Sequence, residues 1–174
     1  MIRIIAVLFC FAVFQFSNAN QTGDDRIVNG EDAVPGQFPY QALLEFFGIG
    51  VCGGSIYNEY TIITAAHCCV PIDEGEIELW DTQISAGQID IYDDDYNVNI
   101  ILIKSYLIHP DYNHNHNHSI TESYHNDICL LTLKTHLEFN DKVKAIELKS
   151  ANLTAGTKCT LSGWGTLRVS SILV

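Results

Sequence analysis

The chain has 174 residues, of which 47% are apolar, with a formal net charge of -12 and a pI near 4.7. That length suits one domain of ordinary size. No Lys or Arg occurs between Arg26 and Lys104, whereas Asp73, Glu74, Glu76, Glu78, Asp81, Asp90, Asp93, Asp94 and Asp95 all fall in that interval. A surface of this sign repels phosphate backbones, so nucleic acid is excluded as a partner.

Residues 1–19 combine a positive start, Met1-Ile2-Arg3, an apolar run over residues 4–16 and the small-residue exit Ser17-Asn18-Ala19. That order is the grammar of a secretory signal peptide, and the run is too short to span a bilayer. No second long apolar segment follows, so the mature chain is expected to be secreted and extracellular, with no membrane partner. Six cysteines agree with an oxidising compartment. Cys10 leaves with the leader; Cys52, Cys68, Cys69, Cys129 and Cys159 remain. An odd number leaves at least one thiol without a partner in this chain. Sequons at Asn20, Asn117 and Asn152 are the candidate glycosylation sites.

Short apolar, β-branched runs then recur between polar or glycine-containing breaks. Residues 40–46, 51–56, 60–65, 98–108 and 128–133 all read as strands. No stretch after the leader holds a long 3.6-residue period, so an antiparallel barrel or sandwich is expected. Residues 65–69 suit a single helical turn, which sets His67 beside a strand end. Two insertions read as surface loops: residues 71–75 with the acidic positions after them, and residues 111–125. In the second, His114, His116 and His118 alternate with Asn113, Asn115 and Asn117. On a strand those imidazoles would share a face and could meet a transition metal; in a loop they are polar filler. The loop is favoured, because a glycan at Asn117 would crowd a metal, and no metal site is expected there. The polar segment 136–157, with Lys142, Lys144 and Lys149, reads as a crossing between two lobes, and a new strand is expected from Cys159.

Chemistry concentrates in Thr64-Ala65-Ala66-His67-Cys68 and in Asn126-Asp127-Ile128. An imidazole titrates near neutrality, so it can take a proton from a hydroxyl and return it to a leaving amine. It needs a second group to fix its tautomer and stabilise the imidazolium, and a buried carboxylate does both. His67 is therefore the candidate general base and Asp127 its orienter.

Arg26-Ile27-Val28-Asn29-Gly30-Glu31, Phe38-Pro39-Tyr40-Gln41, Cys52-Gly53-Gly54-Ser55-Ile56, the His67 and Asp127 segments, and Leu161-Ser162-Gly163-Trp164-Gly165-Thr166 follow one another in order. Together they resemble the trypsin/chymotrypsin-like family of secreted serine endopeptidases. The resemblance implies an all-β double Greek-key barrel, with the first barrel over residues 27–149 and an incomplete second one over residues 150–174. It implies a zymogen: residues 20–26 would be an activation peptide, removed by a trypsin-like activating protease between Arg26 and Ile27. It implies protein or peptide substrates, a disulfide between Cys52 and Cys68, and Cys159 as the orphan cysteine. Cys69 and Cys129 depart from the commoner pattern and are read either as a second bridge or as two small buried thiols. The main departure is the nucleophile. No Gly-Asp-Ser-Gly-Gly segment occurs, and Ser170 and Ser171 lack the glycines that shape a nucleophile turn. The chain is thus expected to be inactive alone; the rival expectation is a non-catalytic homologue acting as a secreted binding module. No cofactor is implied beyond calcium near Asp90, Asp93, Asp94 and Asp95, a set in which Gln88 and Val98 stand where related loops carry carboxylates.

Overall fold

The computed structural model describes residues 30–91, 99–113, 125–149 and 154–165. The expected leader and activation peptide, Arg26 and Ile27, the sequon residues Asn20, Asn117 and Asn152, and His114, His116 and His118 lie outside the described residues.

Among the described residues six strands form: β1 Gln41–Phe46, β2 Ile49–Asn58, β3 Thr61–Thr64, β4 Thr82–Ala86, β5 Asn99–Ile108 and β6 Cys129–Leu133. They close into an antiparallel barrel in the order β1-β2-β3-β6-β5-β4. Strands β1 to β3 are a meander, and β4 returns to lie beside β1, which is the Greek-key path. Closure follows from the period-2 pattern. In β6, Cys129, Leu131 and Leu133 are buried and alternate with half-exposed Leu130 and Thr132. With Leu44, Ile56, Ile62, Ile84 and Ile103 they fill the interior, each large aliphatic side chain contributing about 1.5–3 kcal/mol. Closing the sheet also removes the free edges that a flat sheet of these strands would expose.

Five of the six strands lie where the alternation placed them. β4 did not declare itself, because Thr-Gln-Ile-Ser-Ala carries one bulky aliphatic residue. Its polar side chains are satisfied inside instead: the buried Thr82 hydroxyl donates to the Leu79 carbonyl at 2.6 Å, and the buried Ser85 hydroxyl to the Glu45 carboxylate at 2.6 Å. Glu45, itself buried on β1, also accepts from the Gln83 amide at 2.5 Å.

Three further expectations are corrected. Residues 71–75 do not begin as a loop: a 3-10 turn over Ala66–Cys68 leads into a short helix, α1 Val70–Asp73, with Pro71 in its first turn, where a missing N–H does no harm. The segment after His136 does not leave the barrel at once. Leu137 and Val143 join the core, and Lys144 and Ile146 donate backbone bonds to Pro39 and Ile56 at 2.8 and 2.9 Å. No strand starts at Cys159 among the described residues, since residues 154–165 have no strand beside them to complete a ladder.

Gly54 is needed where β2 meets β3. A Cβ on Gly54 would stand 2.8 Å from Ile62 Cγ2 and 3.1 Å from the Ile63 carbonyl oxygen, so only glycine permits this approach. Beside it, the Thr64 hydroxyl donates to the Gly53 carbonyl at 2.8 Å, pinning the end of β3 from which the His67 turn departs.

Candidate active site

The antiparallel register pairs Thr64, the last residue of β3, with Cys129, the first of β6. The residues just after β3 and just before β6 are therefore neighbours, although they are far apart in sequence. His67 enters from the first side on the 3-10 turn, and Asp127 from the second.

The two side chains meet. His67 Nδ1 stands 2.8 Å from Asp127 Oδ2, and the His67 backbone N–H donates to Oδ1 at 2.9 Å. A carboxylate only accepts, so the ring proton sits on Nδ1 and Nε2 is left with its lone pair. No described residue takes that lone pair. The imidazole is 53% exposed and the carboxylate 19%, so the base faces solvent while its orienter is shielded behind it. That is the arrangement a proton acceptor needs if a hydroxyl is to approach from outside.

Burial alone would raise the Asp127 pKa, but the backbone N–H of His67, its ring and its charge outweigh this, with a smaller share from the Ala66 backbone N–H. The carboxyl is held below the ordinary carboxylate value. The sign follows: a group whose folded pKa is lowered gives stability above its unfolded pKa, about 3.9, and loses it as pH falls through the folded value. The gap in unfolding free energy between the parent and Asp127→Asn should be constant above about pH 5 and shrink below about pH 4. Urea titrations of both chains across that range check it; a gap that widens on acidification would contradict the assignment.

Both candidate bridges are present. Cys52 joins Cys68, the residue after His67, and Cys69 joins Cys129, two residues after Asp127. Of the two readings of Cys69 and Cys129, the bridge is correct. Cys159 is free and exposed. Cys52, Cys68 and His67 bring their ligand atoms within 4.8 Å of one another, but both sulfurs are spent in the disulfide, so the trio is no metal centre. Asp90 is exposed, while Asp93, Asp94 and Asp95 lie outside the described residues.

One residue of the site was missed in the sequence. Asn126 has φ 59°, a left-handed conformation that asparagine tolerates better than most residues. Its side-chain amide donates to the Asp111 carbonyl at 3.2 Å, and its own carbonyl accepts the Ile128 N–H at 2.7 Å. This tight turn aims Asp127 at His67, and the readable signal was an asparagine immediately before the acid.

A cavity of about 640 Å³ lies elsewhere, among Gln41, Gln88, Ser162 and Trp164, and neither His67 nor Asp127 lines it. There the Ser162 hydroxyl donates to Gln41 Oε1 at 2.7 Å and the Trp164 indole N–H to the Ile89 carbonyl at 2.6 Å. Ser162 is thus not part of the histidine–aspartate site.

The chain is 34% identical to trypsin V-A of Rattus norvegicus over 148 residues, 85% of this chain and 53% of that protein. It is 35% identical to trypsin beta of Drosophila erecta over 145 residues, 82% of this chain and 51% of that one. It thus spans about half the length of these relatives. Among solved structures it superposes on neuropsin, a serine protease expressed in the limbic system of mouse brain, with a TM-score of 0.67 and 28% identity over 82% of this chain and 57% of that one. The family model for trypsin matches residues 27–172. With the barrel and the paired histidine and aspartate in place, the chain belongs to the trypsin family of serine proteases.

Proposed function

We propose that this chain supplies the acid–base half of a secreted, trypsin-type serine endopeptidase that hydrolyses peptide bonds in extracellular proteins. The observation that supports it is the His67–Asp127 pair, with Nδ1 held at 2.8 Å and Nε2 turned outward. In this reading His67 Nε2 takes the proton of a serine hydroxyl as its oxygen bonds to the scissile carbonyl carbon. The imidazolium, stabilised by Asp127, gives that proton to the departing amine, leaving an acyl-enzyme. Water, deprotonated by the same imidazole, releases the acid. The chain would be made as a zymogen and cut between Arg26 and Ile27 by a trypsin-like protease.

Residues 1–174 hold no Gly-Asp-Ser-Gly-Gly segment, so by themselves they are expected to hydrolyse peptides only at background rate. The rival reading is a serine protease homologue that binds without cutting. A chimera separates them: residues 1–174 joined to the serine-bearing second half of rat trypsin V-A and activated at Arg26. The enzyme reading expects peptide-amide hydrolysis that falls on the order of 10^6-fold in His67→Ala, as when the base is removed from a comparable protease. A folded but inert chimera, or one that tolerates His67→Ala within about tenfold, would favour the binding module.

A further inference from the structure

Outside the histidine–aspartate site, the least economical feature of the barrel is the tip of its first hairpin. Phe47 and Gly48 connect β1 to β2, and both have left-handed backbone, φ 54° and 76°. Two such residues in succession are the pattern of a type I′ turn, for which Asn-Gly is strongly favoured. A bulky aromatic at the first position is disfavoured by its own backbone. Its ring is not recovered by the core either, because Phe47 is 62% exposed.

Neighbouring residues share that exposure. Ile49, the first residue of β2, is 68% exposed, and Trp80 is 67% exposed on the short turn Leu79–Asp81. The Phe47 N–H donates to the Asp81 carbonyl at 2.9 Å, so hairpin tip and Trp80 turn are stitched together at one end of the barrel. Carboxylates stand beside them. Glu76 and Glu78 are exposed ahead of Trp80, and Asp81 follows it. No Lys or Arg among the described residues forms an ion pair with these three. Partial burial and then repulsion from Glu78 raise the Asp81 pKa.

We infer that Phe47, Ile49 and Trp80 form a docking surface for a cationic protein segment, whose apolar anchor packs on the rings while its Lys or Arg side chains meet Glu76, Glu78 and Asp81. Charge selects this occupant. An anionic lipid surface would face the acidic rim, and a second copy of this chain would bring an identical rim against it. A cation over Trp80 or Phe47 gains further from the ring face. A cationic partner also accounts for an aromatic held where asparagine would suit the backbone better.

The test uses the full chain and two dye-labelled synthetic peptides, one alternating Leu and Lys, the other Leu and Glu, read by fluorescence anisotropy. The Leu/Lys peptide should bind saturably and the Leu/Glu peptide should not. Phe47→Ser with Trp80→Ser should weaken binding on the order of 30-fold, the scale of aromatic anchors. Glu78→Gln with Asp81→Asn should weaken it about fivefold and flatten its salt dependence. Glu138→Gln with Glu147→Gln, an equal charge change away from the tip, should leave it unchanged. Phe47→Asn keeps the inference testable if the serine pair folds poorly. It restores the favoured turn, so it should melt no lower than the parent and still lose the peptide. The inference is overturned by no binding by the parent chain, equal binding by Phe47→Asn, an equal loss from the remote pair, or equal affinity for the Leu/Glu peptide or for phosphatidylserine vesicles. Self-association abolished by Phe47→Ser would overturn it in favour of a second copy.

Discussion

Asp127→Asn, in the chimera completed with a serine-bearing half, is expected to lower kcat about 10^4-fold with KM nearly unchanged. That is the loss a trypsin-type triad suffers when its aspartate becomes asparagine; the direction and cause are local. The carboxylate uses both oxygens as acceptors, Oδ1 for the His67 backbone N–H and Oδ2 for the ring Nδ1–H. An asparagine has one acceptor and one donor. The fixed backbone N–H would hold the amide oxygen, which turns the NH2 toward Nδ1 and makes Nδ1 the acceptor. The ring proton then moves to Nε2, and the nitrogen that should receive a proton already has one. The variant should therefore fold, bind substrate and fail at proton transfer. Nitrogen NMR of the His67 ring would report the exchanged tautomer. A folded Asp127→Asn chimera that lost less than about tenfold in kcat would show that Asp127 does not set the tautomer.

How far this site could be read from sequence depends on which interactions are local. Alternation in Cys129–Leu133 and the apolar stretch within Gln41–Phe46 mark strands directly, because each residue's face is fixed by its own position. The motif residues around His67 and Asp127 carried the site, as each is typical of its task. Thr82–Ala86 was hidden for the opposite reason. Its Thr82 and Ser85 are buried only because the Leu79 carbonyl and the Glu45 carboxylate accept their hydrogen bonds, and the Glu45 partner is set by tertiary structure. The same holds for Leu137 and Val143, two apolar residues in a polar segment that become part of the core only when the barrel is there to receive them. Phe47 is the sharpest case. Phe-Gly is a poor hairpin signal, and the turn is defined by the strands that flank it.

Removing the second disulfide, by Cys69→Ala with Cys129→Ala, is expected to destabilise the chain by about 4 kcal/mol, the chain-entropy value for a loop of this length. The bridge spans 60 residues, whereas Cys52–Cys68 spans 16, for which the same relation gives about 3 kcal/mol. The two loops follow one another without overlap, so their loop-closure terms are separate, although the adjacent Cys68 and Cys69 couple the two bridges through shared packing. Both Cys69 and Cys129 are fully buried within the barrel core, so the lost sulfurs leave a small void whose cost adds to the entropic one. Against a total stability of about 5–15 kcal/mol, a loss of that size is a large share of what holds the barrel closed. Urea unfolding would measure it, with a larger m-value in the variant because its unfolded chain is less constrained. The functional consequence is separate. Cys69 stands two residues beyond His67 and Cys129 two beyond Asp127, so the bridge ties together the segments that carry the pair. In the chimera, kcat should fall on losing Cys69–Cys129 even at temperatures where the variant stays folded, and KM should change little. A variant that loses stability and keeps full kcat would make the bridge a staple for the barrel alone, leaving the Asn126 turn and the Ala66–Cys68 turn sufficient to aim the two side chains.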